Sequence, residues 1–193
     1  QKYDFPVYLD SPLGLKLTRI YHKMSPFWDR EAKNLYTQGD HPLDFDNLYA
    51  VQNYEQHLQL VDAPGPMIIL AGSGMCTGGR ILGHLNSGIE DRRNDLFFVG
   101  YQAQGTLGRD ILRYAEKADG YVYIDSERKQ IKASIEQLSG YSAHADQKGL
   151  LDWVQAMGDW PREIRLVHGE YAARRDLKLA LREGGMYKHE VVG

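Results

Sequence analysis

The chain has 193 residues, 42% hydrophobic and 25% charged, with one cysteine and a formal net charge of −3. A lone Cys76 excludes a disulfide framework and suits a reducing cytoplasm, while apolar runs such as Met67–Ala71 are far too short to span a bilayer. Mild acidity excludes a protein that grips nucleic acid by bulk charge, though it leaves room for a local basic groove.

Nothing at the N-terminus has the basic-then-apolar pattern of a secretion signal. Opening on Gln1 and closing on Gly193, the chain reads as an excised piece of a longer polypeptide. Short β-branched and aromatic runs then alternate with stretches of helical period. Strands are expected at Phe5–Asp10, Leu48–Gln52, Met67–Ala71, Asp95–Tyr101 and Tyr121–Asp125. Helices are expected at Leu13–Lys23, Pro26–Gln38, Tyr54–Val61, Gly78–Ile89 and Thr106–Glu116. The near-continuous apolar strands Met67–Ala71 and Leu96–Val99 predict burial on both faces. Strand, helix, strand in succession predicts an α/β layer with a mainly parallel sheet.

After Tyr121 the rhythm changes. Tyr121–Asp125 and Gln130–Leu138 read as consecutive strands joined by the polar segment Ser126–Lys129. A helix over Asp146–Met157, a strand over Arg162–His168, a helix over Arg174–Glu183 and a strand over Lys188–Val192 follow. Gly158 and Pro161 mark one turn. The change in rhythm places a domain boundary near residue 127.

Four segments carry chemistry. Ala71–Gly79 is a glycine-rich turn between a strand and a helix, where backbone N–H groups can meet an anion. It is neither a dinucleotide fingerprint, since the third glycine would fall on Thr77, nor a P-loop, since Arg80 and Ile81 follow Gly79. A tight turn that needs glycine for its dihedrals alone explains it equally well. Gly100–Asp110 repeats the arrangement; Thr106 and Arg109 there serve either to contact phosphate or to cap and solvate a helix. His144 stands among small residues between a strand and a helix, suited to proton transfer or to a structural hydrogen bond. His168 ends an apolar strand, where a neutral imidazole can ligate zinc or bond a backbone carbonyl. His22, His41, His57, His84 and His189 sit in polar or turn surroundings and receive no chemical role. A catalytic zinc needs about three protein ligands, and no pair of closely spaced histidines followed by Asp-His is present.

Taken in order, Val7-Tyr-Leu-Asp-Ser-Pro-Leu13, Ile68–Gly79, Phe98–Arg109, and Ser142-Ala-His-Ala-Asp146 with Val167-His-Gly-Glu170 resemble the β-CASP family of metallo-β-lactamase-fold RNA nucleases. The resemblance is nearest to the prokaryotic single-chain members, relatives of ribonuclease J and of the cleavage and polyadenylation nuclease. It implies a Rossmann-like, mainly parallel β-CASP domain over residues 1–127. The C-terminal part of a metallo-β-lactamase αββα fold would occupy 128–193. It implies that His144 protonates the leaving group, that His168 ligates one of two zinc ions, and that Ser142 contacts a phosphate. Ser73, Gly74 and Thr106, in the two glycine turns, would help hold the RNA backbone.

The His-x-His-x-Asp-His motif and the remaining metal ligands would lie upstream of Gln1, in a metallo-β-lactamase segment of the same protein. The chain alone is therefore expected to hold zinc at most partially and not to cleave RNA. The expected function of the parent protein is zinc-dependent hydrolysis of RNA phosphodiesters, endonucleolytic or from the 5′ end, in the cytoplasm, with RNA and no membrane as partner. The alternative is a non-catalytic RNA-binding or scaffolding paralogue. Whether the protein forms a homodimer is left open.

Overall fold

The computed structural model describes residues 5–39, 43, 45–138, 140–141, 144–158, 161–186 and 190–192. The chain forms two compact units, residues 1–141 and 142–193. Among the described residues no helix is long and apolar enough to cross a membrane.

In the first unit, β1 (Val7–Asp10) is the central strand of a parallel sheet, between β2 (Leu48–Ala50) and β3 (Ile68–Ala71). Helix α1 (Pro12–Lys23) starts at once because Pro12 supplies a helical φ at the first position and Ser11 Oγ accepts the Gly14 N–H at 3.1 Å. The helix expected over Pro26–Gln38 is split. Ser25–Phe27 forms a 3₁₀ turn and α2 (Arg30–Thr37) begins afresh, because the Asp29 carboxylate accepts the Ala32 N–H at 2.8 Å. Helix α3 (Tyr54–Val61) matches expectation and is capped by Asn53, which accepts from Gln56 N–H at 2.9 Å.

Helix α4 (Ile81–Gly88), strand β4 (Asp95–Phe98), helix α5 (Leu107–Ala115) and strand β5 (Tyr121–Ile124) enclose the main core. Cys76, Leu85, Ile89, Phe98, Ile111, Val122 and Ile124 form it. Three of the four residues of the segment read as a polar link, 127–129, are in fact strand. Asp125 and Ser126 both take positive φ, 49° and 69°, forming a two-residue turn whose twist suits a hairpin. Strand β6 (Glu127–Gln130) therefore pairs antiparallel with β5, carrying the chain across residue 127. Strand β7 (Ser134–Gln137) then runs parallel to β4.

The expected two-sided burial of β3 and β4 is not found. Phe98 points into the core, but its neighbour Phe97 is 53% exposed, and Ile68 and Leu70 of β3 are 43% and 49% exposed. Successive strand side chains face opposite ways, and the core helices cover one side of β4 only.

In the second unit, β8 (Glu163–Arg165) pairs in parallel with β9 (Glu190–Val192). Helices α6 (Gln147–Gln155) and α7 (Tyr171–Leu181) close a small core around Val154 and Leu181, with Leu151, Ile164, Leu166 and Leu177 packed against it. A π-helical turn, Arg182–Met186, extends α7. The mixed α/β architecture with parallel pairing is the class expected.

Candidate functional site

Parallel sheets offer functional groups at the carboxyl ends of their strands, and Asp10 is the last residue of β1, fully buried. Three side chains from later in the chain converge on it. His57 Nδ1, on α3, lies 2.6 Å from Oδ2, and His84 Nε2, on α4, lies 2.6 Å from the same oxygen. The Arg80 guanidinium donates through Nη1 to Oδ1 at 2.6 Å and to the Val51 carbonyl at 3.0 Å. Arg80 and His84 are four residues apart, so one turn of helix aims both at the same target. The two imidazoles meet edge to face, centroids 5.0 Å apart. Gly83 makes room for them: a Cβ there would lie 2.9 Å from His57 Nε2.

Burial works to raise the Asp10 pKa, but hydrogen bonds from His84, Arg80 and His57 outweigh it and hold the carboxyl below its usual range. His84 is lowered, chiefly by burial, with the bond to Asp10 opposing. The group is therefore a carboxylate accepting from two imidazoles and one guanidinium, with burial favouring the neutral form of His84.

Beside this knot stand the two glycine turns. Ser73 Oγ accepts the Thr77 N–H at 3.0 Å, and Gly79 takes a φ of 82° where a Cβ would be 2.7 Å from the Gly72 carbonyl. Gln102, 1% exposed, donates from Nε2 to the Gly74 carbonyl at 2.8 Å and to the Gly100 carbonyl at 3.2 Å, stitching one turn to the other. Gly108 is needed under it, since a Cβ would fall 1.8 Å from Gln102 Oε1. Thr106 caps α5, donating to the Ala103 carbonyl at 2.7 Å and accepting from Arg109 N–H at 3.3 Å. Ser73 and Thr106 thus already shape the turns that carry them, and Gly74 has open space above its Cα. Cys76 is buried between them, its thiol pushed up to about 11 by burial, and so inert.

His144 and His168 both lie in the second unit, both exposed. Each stands two residues ahead of a helix N-cap: Asp146, which accepts the Gly149 N–H at 2.7 Å, and Glu170. Gly169, with a φ of 103°, turns the chain between His168 and α7. Ser142 lies outside the described residues, as do His41 and His189.

Residues 1–111 match the family model described as the Beta-Casp domain, and residues 128–192 match the model of a Zn-dependent metallo-hydrolase RNA specificity domain. The chain belongs to the β-CASP family. Among its curated β-CASP relatives, ribonuclease TTHA0252 of Thermus thermophilus is 43% identical over 165 residues, 86% of this chain and 36% of that protein. Transcription termination factor FttA of Methanocaldococcus jannaschii is 30% identical over 171 residues, 87% of this chain and 27% of the relative. FttA of Methanosarcina mazei is 30% identical over 176 residues, 90% and 28%. The chain therefore spans 36% of the length of the ribonuclease and 27% and 28% of the two termination factors.

Membership of a family with a zinc-dependent part raises the question of where this β-CASP chain could hold metal. Among the described residues one trio has the right donors close together: Asp10, His57 and His84, with ligand atoms within 4.8 Å of one another. It does not fit a zinc ion. Zinc bonds of 2.0–2.1 Å at tetrahedral angles hold ligand atoms roughly 3.3 Å apart, whereas both imidazole nitrogens lie 2.6 Å from a single carboxylate oxygen. Arg80 adds a fixed positive charge on the other oxygen. Of the expected residues, His168 presents one exposed imidazole, which fits a single ligand position.

The knot corrects the sequence reading of His57 and His84 as residues in polar or turn surroundings: both stand on helices, His57 3% exposed and the His84 side chain 10% exposed. One signal was available, the four-residue spacing of Arg80 and His84 in the first turns of a helix.

Proposed function

We propose that this chain is part of a zinc-dependent ribonuclease that hydrolyses RNA phosphodiester bonds, with His168 as a metal ligand and His144 as the general acid. The observation that carries the reading is the paired placement of these two exposed imidazoles, each just ahead of a helix N-cap, in the segment that matches the RNA specificity domain. An exposed imidazole in the loop after a strand, three residues beyond β8, can offer a nitrogen to zinc. One flanked by small residues can approach a substrate and give up a proton near neutral pH.

In this reading the other metal ligands come from a metallo-β-lactamase segment of the same polypeptide, and two zinc ions, when bound, activate water and take up charge on the departing oxygen. His144 delivers its proton to that oxygen as the phosphorus–oxygen bond breaks and water oxygen bonds to phosphorus. Ser142 contacts a phosphate, and the turns at Ser73-Gly74 and Gly105-Thr106 hold the RNA backbone. The proposed division between the two parts falls near residue 127, inside the interval between the two family matches. The protein works in the cytoplasm, and the chain by itself does not cleave RNA. Between the relatives' activities, the ribonuclease at 43% identity supports a nuclease ahead of the termination factors at 30%.

The test uses the complete protein. Metal analysis should find two zinc ions, and a labelled RNA should be cleaved. His168→Ala should lower the metal content and abolish cleavage. His144→Ala should keep the metal and lose cleavage by about 10²–10⁴-fold. Full cleavage by His168→Ala overturns its role as a ligand.

A further inference from the structure

Strand β7 is paired along one edge. Its Ser134 N–H donates to the Asn94 carbonyl and its Leu138 N–H to the Phe98 carbonyl, each at 2.9 Å, along β4. Alternate residues of a strand turn their backbone groups to opposite edges, so Ile135 and Gln137 direct N–H and C=O away from β4. Among the described residues no strand pairs with that side. A row of unpaired backbone donors and acceptors is a binding edge unless something guards or uses it.

Beside the edge runs α5. Arg109 and Arg113 lie one turn apart on the same helical face, about 5–6 Å between Cβ atoms. They line a groove of about 740 Å³ whose opposite wall is Ser134, Ile135 and Gln137. Neither guanidinium makes an ion pair among the described residues. Arg113 only approaches the Tyr114 ring, at 5.6 Å. One carboxylate, Glu116, is among the groove's lining residues. In a chain of net charge −3, two guanidinium groups without an ion pair among the described residues, in a groove also lined by an open strand edge, form a local site for a polyanion.

We propose that this groove binds the sugar–phosphate backbone of single-stranded RNA. Arg109 and Arg113 contact neighbouring phosphates, and the N–H groups of Ile135 and Gln137 donate to their oxygens. The proposal rests on the RNA reading above and adds a backbone track within the first unit. An added peptide strand would also satisfy the β7 edge, but it would leave both guanidinium groups without a counter-charge.

The test is fluorescence anisotropy of the full chain with a labelled oligouridylate, over a range of potassium chloride. Contacts to phosphate weaken with salt in proportion to their number. Arg109→Gln and Arg113→Gln should each weaken binding several-fold. Each should also reduce the slope of log affinity against log salt by about 0.7. Glu116→Gln should strengthen binding, an outcome that misfolding cannot mimic. If the unchanged chain binds and all three variants match it in affinity and slope, the groove assignment is overturned while the RNA reading stands. If the unchanged chain does not bind RNA at all, the groove assignment is overturned, and the cleavage assay on the complete protein decides the RNA reading separately.

Discussion

Arg80 Nη1 donates to Asp10 Oδ1 at 2.6 Å across 70 residues of sequence, with the carboxylate fully buried and the guanidinium 12% exposed. The same guanidinium nitrogen reaches the Val51 carbonyl. One side chain thus ties the end of β1, the start of the segment before α3, and the first turn of α4. The glycine turn that precedes α4 is held at its C-terminal end by this contact.

Removing the carboxylate should be costly. Asp10→Ala leaves Arg80 charged and both imidazole N–H groups without an acceptor, and breaking a buried pair from one side costs about 3–5 kcal/mol. Urea unfolding should show the loss as a lower midpoint with an unchanged slope. A loss under about 1 kcal/mol would show that the knot contributes little to folding.

Acid should weaken the fold in two stages. His84 is depressed below 6.5 in the folded chain, so between its folded value and 6.5 the unfolded chain binds the extra proton. Stability is therefore fully present above 6.5 and declines as pH falls from there. Asp10 is depressed below 3.8, so its contribution is present above 3.8 and is lost below it. Melting temperature followed from pH 8 to pH 3 should fall across both windows. His84→Asn should remove the first stage while leaving the second.

Zinc should leave the Asp10 knot untouched. Imidazole resonances of His57 and His84, assigned by NMR, should keep their positions when zinc is added to the chain at neutral pH, and a chelator should not lower its melting temperature. Shifts in both rings at stoichiometric zinc would establish a metal site at Asp10.

Much of the architecture was legible in local sequence. Thr106 after Gly105 announced α5, because a side-chain oxygen placed there satisfies an otherwise unpaired N–H of the first turn. The alternation of strand and helix foretold the parallel pairing of β1 with β2 and β3. The β5–β6 turn was missed because Asp125-Ser126 lacks glycine, the usual mark of two positive-φ residues.

The sequence by itself determined the order of the elements, the caps that start them and the two glycine turns, all set by interactions among residues a few positions apart. Only the tertiary structure decided that Asp10, His57 and His84 share one oxygen, across 47 and 74 residues, and that β7 sets its open edge beside Arg109 and Arg113. Such meetings depend on how the chain closes long loops and buries its apolar faces. No periodicity or spacing along the chain records that closure.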